Sequence, residues 1–141
     1  SIAETGVPYV GSCGALDMVN FWGPASVSDR FSDRLFYHHN AQVTLMRTTA
    51  AECAQIGEWI GQKINACDGP VRFLLPLNGV SALDAEGAPF WNPKADAALF
   101  QALEDTIQQT ENRQLIKLNH HINDPEFAAT AAAHFRAIAK T

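Results

Sequence analysis

Four apolar runs set the terms on which this chain can fold: PYVGSC (8–13), QVTLMR (42–47), VRFLLPL (71–77) and RQLIKL (113–118). Each is bounded by turn-forming residues. Each is continuous rather than alternating, the pattern of a strand covered on both faces. Between and after the later runs, apolar residues recur at helical spacing. Such a strand–helix succession buries its strands as βαβ units on a parallel sheet. The expected fold is α/β, a three-layer Rossmann-like domain with a mostly parallel sheet of about four strands, as one domain over residues 1–141.

Helix ends are readable because caps are local. Thr49 is an N-cap, and Glu52 three residues on completes a capping box. Cys53, Ile56, Ile60, Ile64 and Cys67 then form one buried stripe. Gly57 and Gly61 are poor helix formers and predict a close approach of this helix to the sheet. In CDGP, Gly69 is expected as a left-handed cap, with Pro70 forbidding continuation. A second helix opens at Asn92 with Pro93 in its first position, burying Ala95, Leu99, Ala102, Leu103 and Ile107. The third opens at Asp124 and Pro125 and buries Phe127, Ala131, Phe135 and Ile138. Residues 14–42 show no clear amphipathic helix, beyond room for a short one in SVSDRFSDRL. Phe21, Trp22, Phe31, Leu35 and Phe36 predict an ordered loop there.

Composition narrows the partners. A net charge of -5 without any basic run argues against nucleic acid. Nothing in the chain approaches a membrane-spanning apolar run. Cys13, Cys53 and Cys67 have neither an even count nor metal spacing, which predicts a reducing compartment, the cytoplasm. Cys53 and Cys67 read as packing residues; Cys13 ends a strand, where a nucleophile could stand. The opening SIAETGVPYV reads like the middle of a longer polypeptide. Three helices are too few to cover both faces of a four-stranded sheet. The uncovered surface predicts a homo-oligomer, or pairing with a further part of the same polypeptide.

In an open parallel sheet, ligands bind beyond the carboxyl ends of the strands. Polar and small residues follow all four runs: Asp17 and Asn20 after the first, Arg47, Thr48 and Thr49 after the second. Ser81 and Asp84 follow the third, and His120, His121, Asn123 and Asp124 the fourth. Two readings stay open for most of them. Arg47 beside the helix start at Thr49 suits a phosphate or carboxylate, or else pairs with an internal carboxylate. Asp124 is a helix cap whatever else it does, and NGVS is an anion nest or a plain turn. His120 and His121 are neighbours on an extended segment and point to opposite faces, so they do not share a metal, and no metal site is expected. One of the pair is placed for acid–base work. No motif names a reaction.

Four segments, GALDMVNFWGP, HNAQVTLMRTT, GPVRFLLPLNGVSALDAEGAPFWNPKADAALFQAL and HHINDPEFA, closely resemble an uncharacterised protein family. That family is related to the ATP-binding inhibitory domain of the tomato mosaic virus resistance protein. The resemblance implies two Rossmann-like subdomains, of which this chain looks like the last part. It also implies association with ATP, with or without Mg²⁺, a tendency to dimerise and, in the plant relative, binding to a viral replication helicase. The family's motif positions fall here on Asp17, Asn20, His39, Asn40, Arg47, Thr48, Ser81, Asp84, His121, Asn123 and Asp124. Where the family reads an acidic or small residue and a glycine, this chain has Leu77 and Asn78. The expected function is a nucleotide-binding α/β portion of unassigned reaction, with Arg47, Thr48, Thr49, Ser81, Asn20, Asn123 and Asp124 holding the ligand. His121, Asp17 and Asp84 are the expected acid–base groups. The alternatives are a protein-interaction module stabilised by nucleotide, or an enzyme acting on a small carboxylate or phosphate ester.

Overall fold

A computed structural model of the chain describes residues 1–139. The fold is α/β with two sheets. Three of the expected strands, β1 (Tyr9–Ser12), β5 (Val71–Pro76) and β6 (Arg113–Leu118), form a parallel sheet in the order β1-β5-β6. The run QVTLMR does not join them. It becomes β4 (Val43–Arg47), the centre of a separate antiparallel sheet between β2 (Met18–Phe21) and β3 (Phe36–Asn40). β4 is central in its sheet and buried on both faces from Thr44 to Arg47, as a central parallel strand would be. Its apolar run is therefore silent about which sheet holds it.

The segment 14–42, expected as a loop, supplies β2 and β3 and two single turns of tighter helix, Pro24–Ser26 and Asp29–Phe31. β3 and β4 close as a hairpin at Ala41 and Gln42. Asn40 Oδ1 accepts the Gln42 N–H at 2.8 Å there, a side chain standing in for a backbone turn. A short helix α1 (Ile2–Thr5) precedes β1.

Helix starts follow the sequence closely. At α2 (Ala50–Asn65), Thr49 and Glu52 form the capping box. At α3 (Pro93–Thr106), Asn92 Oδ1 accepts from the Ala95 N–H. Ends and faces follow less well. α2 closes at Ala66 in right-handed geometry, and Gly69 is not left-handed. Gly57 and Gly61 press against α3 rather than the sheet: a Cβ at Gly57 would lie 2.7 Å from Leu99 O, and one at Gly61 2.6 Å from the Thr106 side chain. The α2–α3 pair encloses the core with β5, through Cys53, Ile64, Phe73, Leu75, Leu99 and Leu103. α4 (Pro125–Ile138) packs on β1 and β5, burying Phe127 and Ile138 but leaving Phe135 half exposed.

Candidate functional site

The loops after β1, β5 and β6 converge and are tied together by their own polar groups. After β5 the chain turns at Gly79, whose φ of +132° suits glycine alone and whose Cβ would meet Asp84 O. The same turn receives the hinge after β6, where the Ile122 N–H donates to Gly79 O at 3.1 Å. Ala15 N–H, from the loop after β1, donates to Val80 O at 2.9 Å. β4 ends at this place too, since Thr48 Oγ1 donates to Leu16 O (2.8 Å) and Thr48 N–H to Asp17 O (2.9 Å).

Five of the residues expected at the strand ends thus lie in one bonded cluster. Ser81 Oγ donates to Asp17 Oδ2 at 2.7 Å. Asp84 Oδ2 accepts from the Val80 N–H (2.9 Å) and its Oδ1 from Arg47 (3.3 Å). Arg47 also donates to Thr48 Oγ1, to Phe90 O at 2.8 Å and to Asp96 Oδ1 at 2.7 Å. Asp96 is the residue that sequence reasoning missed. The signal was available: Asp96, Leu99, Phe100 and Leu103 share one buried helix face, and an acid on such a stripe needs an internal partner.

The sequence allows Arg47 two roles, holding an external anion or pairing with an internal carboxylate. Only 3% exposed, it takes the second course and spends its guanidinium inside the protein. The α2 start at Thr49 is likewise occupied. The Glu52 carboxylate accepts the Thr49 N–H and pairs with Arg34 at 2.6 Å, and Arg34 reaches Arg47 O.

His121 sits at the edge of the cluster. Its Nε2 lies 2.9 Å from Ser81 O and 3.3 Å from Asp84 O, both acceptors, while its Nδ1 accepts the Asn123 N–H at 3.1 Å. Those partners give Nε2 the donor role and Nδ1 the acceptor role. Asp124 heads α4, yet its side chain caps nothing in the helix; Oδ2 accepts the His121 N–H at 2.7 Å and braces the hinge instead. Asn20 lies apart, on β2 beside Phe21, Trp22 and Val43 around a separate hollow of about 310 Å³. His39 and Asn40 lie at the β3 end of the hairpin, also outside the cluster.

Electrostatically the cluster is short of positive charge: Asp17, Asp84 and Asp96 are buried with Arg47 alone bonded among them. Burial pushes the Asp96 carboxyl up to about 7, helped by its hydrogen bond with Asp84 and opposed by Arg47. Burial raises Asp17 as well, with Ser81 opposing. Asp17 Oδ1 and Thr44 Oγ1 are buried oxygens with no hydrogen-bond partner among the described residues. A buried acceptor left without a donor costs roughly 1–3 kcal/mol. Cys13 is buried, and burial lifts its thiol to about 12, which disfavours the thiolate form. All three cysteines are free and buried. Among the described residues no group of three or more His, Cys, Asp or Glu side chains is arranged to hold a metal ion, and no helix is long and apolar enough to cross a membrane.

Beside the cluster, a cleft of about 350 Å³ opens between the end of β5 and the start of α3, lined by Leu77, Asn78, Glu86, Trp91, Asp96 and Phe100 among others. A second surface is apolar. Leu16, Val19, Ile56, Trp59 and Ile60 border a groove of about 510 Å³ along α2, where Trp59 is 61% exposed.

Comparison with known proteins matches residues 1–139 to the family model described as "Uncharacterised protein family (UPF0261) C-terminal domain". A UPF0261 protein of Rhizobium meliloti (strain 1021) is 60% identical over 139 residues, 99% of this chain and 35% of that protein. A UPF0261 protein of Clostridium tetani (strain Massachusetts / E88) is 45% identical over 130 residues, 92% of this chain and 32% of the relative. The ToMV resistance protein Tm-1(GCR237) of Solanum lycopersicum is 42% identical over 128 residues, 91% of this chain and 17% of that protein. The chain spans about a third of the length of the bacterial relatives it matches.

Proposed function

Because this chain belongs to the UPF0261 family through its C-terminal domain, we propose that it is the ligand-binding α/β portion of a longer nucleotide-binding protein, with the ligand over the carboxyl ends of β1, β5 and β6. The observation that carries this reading is Asp17 Oδ1, a buried acceptor with no donor among the described residues at the point where three strand-end loops meet. Structural carboxylates are ordinarily satisfied on both oxygens. One left open in a strand-end cluster marks a place for a ligand donor.

The donor set decides which part of a nucleotide fits. Asp17, Ser81 and Asn123 suit ribose hydroxyls or the amine edge of a base. Phosphates need cations, and the nearest guanidinium, that of Arg47, is already paired inside. In this proposal the phosphate charge is met by Mg²⁺ with its own waters or by other parts of the longer protein. Thr48, Asp84, Asp124 and His121 hold the loops in register rather than touching the ligand. In the longer protein the parallel sheet is extended to a full three-layer Rossmann-like arrangement. A second reading, a protein-interaction module, rests on the α2 groove. Its exposed Trp59 and Val19 suit a second copy or another part of the polypeptide.

Calorimetric titration of ATP, with and without Mg²⁺, tests the main reading. Saturable binding that Asp17→Asn weakens about tenfold is the expected result. Heats no larger than dilution in both the chain and the longer protein would remove nucleotide as the ligand class.

A further inference from the structure

The cleft beside Trp91 has a chemistry of its own. One wall is Trp91, 47% exposed, with Leu77 and Phe100 as apolar neighbours. The polar lining is two carboxylates, Asp96 and Glu86, and the Asn78 amide; no lysine or arginine lines it. Asp96 is the informative one. It is 6% exposed, yet it reaches the cleft while its Oδ1 holds Arg47 at 2.7 Å.

Charges from every neighbouring element bear on what can enter. Asp84 follows β5, Arg47 ends β4, Glu86 lies on the loop before α3, and the Cys13 and Cys53 thiols, raised first by burial and further by Asp96, stay neutral and add no charge. Against Arg47, and the exposed Lys94 in the first turn of α3, stand Asp84, Asp96, Asp17 and Glu86. The start of α3 adds the equivalent of about half a positive charge. Pro93 has no N–H to offer there, and Asn92 already occupies the Ala95 N–H. The carboxylates outweigh the helix end, and the field in the cleft favours a cation. An aromatic face next to carboxylates is the arrangement that holds a desolvated organic cation.

We propose that this cleft binds a planar organic cation, an amidinium or guanidinium on a small apolar body, stacked on Trp91 and paired with Asp96 and Glu86. The site takes a positive group, so phosphate is excluded from it. The inference goes beyond the nucleotide reading and does not depend on it, because a cation can fill this cleft whether or not ATP binds over the strand ends. Binding is coupled to protons, since Asp96 exchanges its proton for the ligand's charge. Affinity therefore rises from pH 5.5 to pH 8.

Benzamidine and its neutral isostere benzamide are the probes, titrated into the chain at pH 8 and followed by calorimetry and tryptophan fluorescence. Benzamidine is expected to bind at least about tenfold more tightly than benzamide. Asp96→Asn should weaken it about tenfold and remove the gain between pH 5.5 and 8, and Trp91→Ala should weaken it by a similar factor. Glu86→Gln, at an exposed position, serves if Asp96→Asn disturbs folding, and should weaken binding about threefold. Equal binding of the two probes, or benzamidine affinity unchanged in Glu86→Gln and Asp96→Asn alike, overturns the proposal. So does displacement of benzamidine from the Trp91 face by inorganic triphosphate. A flat ATP titration leaves these outcomes unaffected.

Discussion

Arg47 and Asp96 meet 2.7 Å apart inside the protein, one ending the central strand of the antiparallel sheet and the other in the first turn of α3. Asp84 completes the group from the loop after β5. A single guanidinium therefore joins both sheets' loops to a helix. Arg47→Met strands two buried carboxylates, and the loss should be about 3–5 kcal/mol. Urea unfolding measures it. A loss under about 1 kcal/mol would mean the three groups are not coupled as described.

Asp96 gives a pH signature whose sign is fixed. Its folded carboxyl is raised from 3.8 to about 7, so the folded state holds the proton more tightly than the unfolded chain. That stability is fully present below about pH 4 and is lost as pH rises toward 7. Asp17 is raised too and adds a slope of the same sign. Glu52 is lowered, chiefly by Arg34, and its contribution is lost only as pH falls below its ordinary 4.5. Between about pH 5 and 7 the raised acids therefore dominate. The urea midpoint should fall across that window, and Asp96→Asn should remove most of the slope. A midpoint that climbs with pH there contradicts the assignment.

Asp124→Ala tests what this residue braces. Its side chain holds the His121 N–H and none in the first turn of α4. The cost should be about 1 kcal/mol, and hydrogen exchange should quicken at the His121 amide. Faster exchange confined to the first-turn amides of α4 would restore the simple capping role.

Gly79→Ala places a Cβ against Asp84 O and the His121 ring at a φ of +132°. The loop must shift, at a cost of about 1–3 kcal/mol. The His121 ring signals should move with it in NMR spectra. Unchanged His121 signals would show that turn and hinge are not in contact.

What could be read from the sequence divides by range. Thr49 with Glu52, Asn92 with Ala95, and Pro125 after Asp124 act over three or four residues, and those helix starts stand where the sequence puts them. Pairing of strands acts over tens of residues and leaves no local mark. β4 looked like a fourth parallel strand, and the short polar strand FYHHN looked like a loop. The same holds for the site. The strand-end rule brought Asp17, Thr48, Ser81 and Asp84 to one place, but could not say that Arg47 would turn inward. Asp96 went unread because an acid in the first turn of a helix has an ordinary explanation. Only its alignment with Leu99 and Leu103 marked it as internal.

The bare backbones of Gly57 and Gly61 leave α2 no slack against α3. A Cβ at either position would run into Leu99 O or the Thr106 side chain, so only glycine lets the two helices pack this closely. One wall of the cleft at the start of α3 is α3 itself, through Asp96, Ala97 and Phe100, and the facing wall comes from the segment 77–91. A guest larger than the resting opening has to push that segment outward. Phe90 O and Asp84 tie it to Arg47, so a bulky guest is opposed by the breaking of a buried ion pair and a buried hydrogen bond. Size selection at this cleft is thus built into an arginine that the guest never touches.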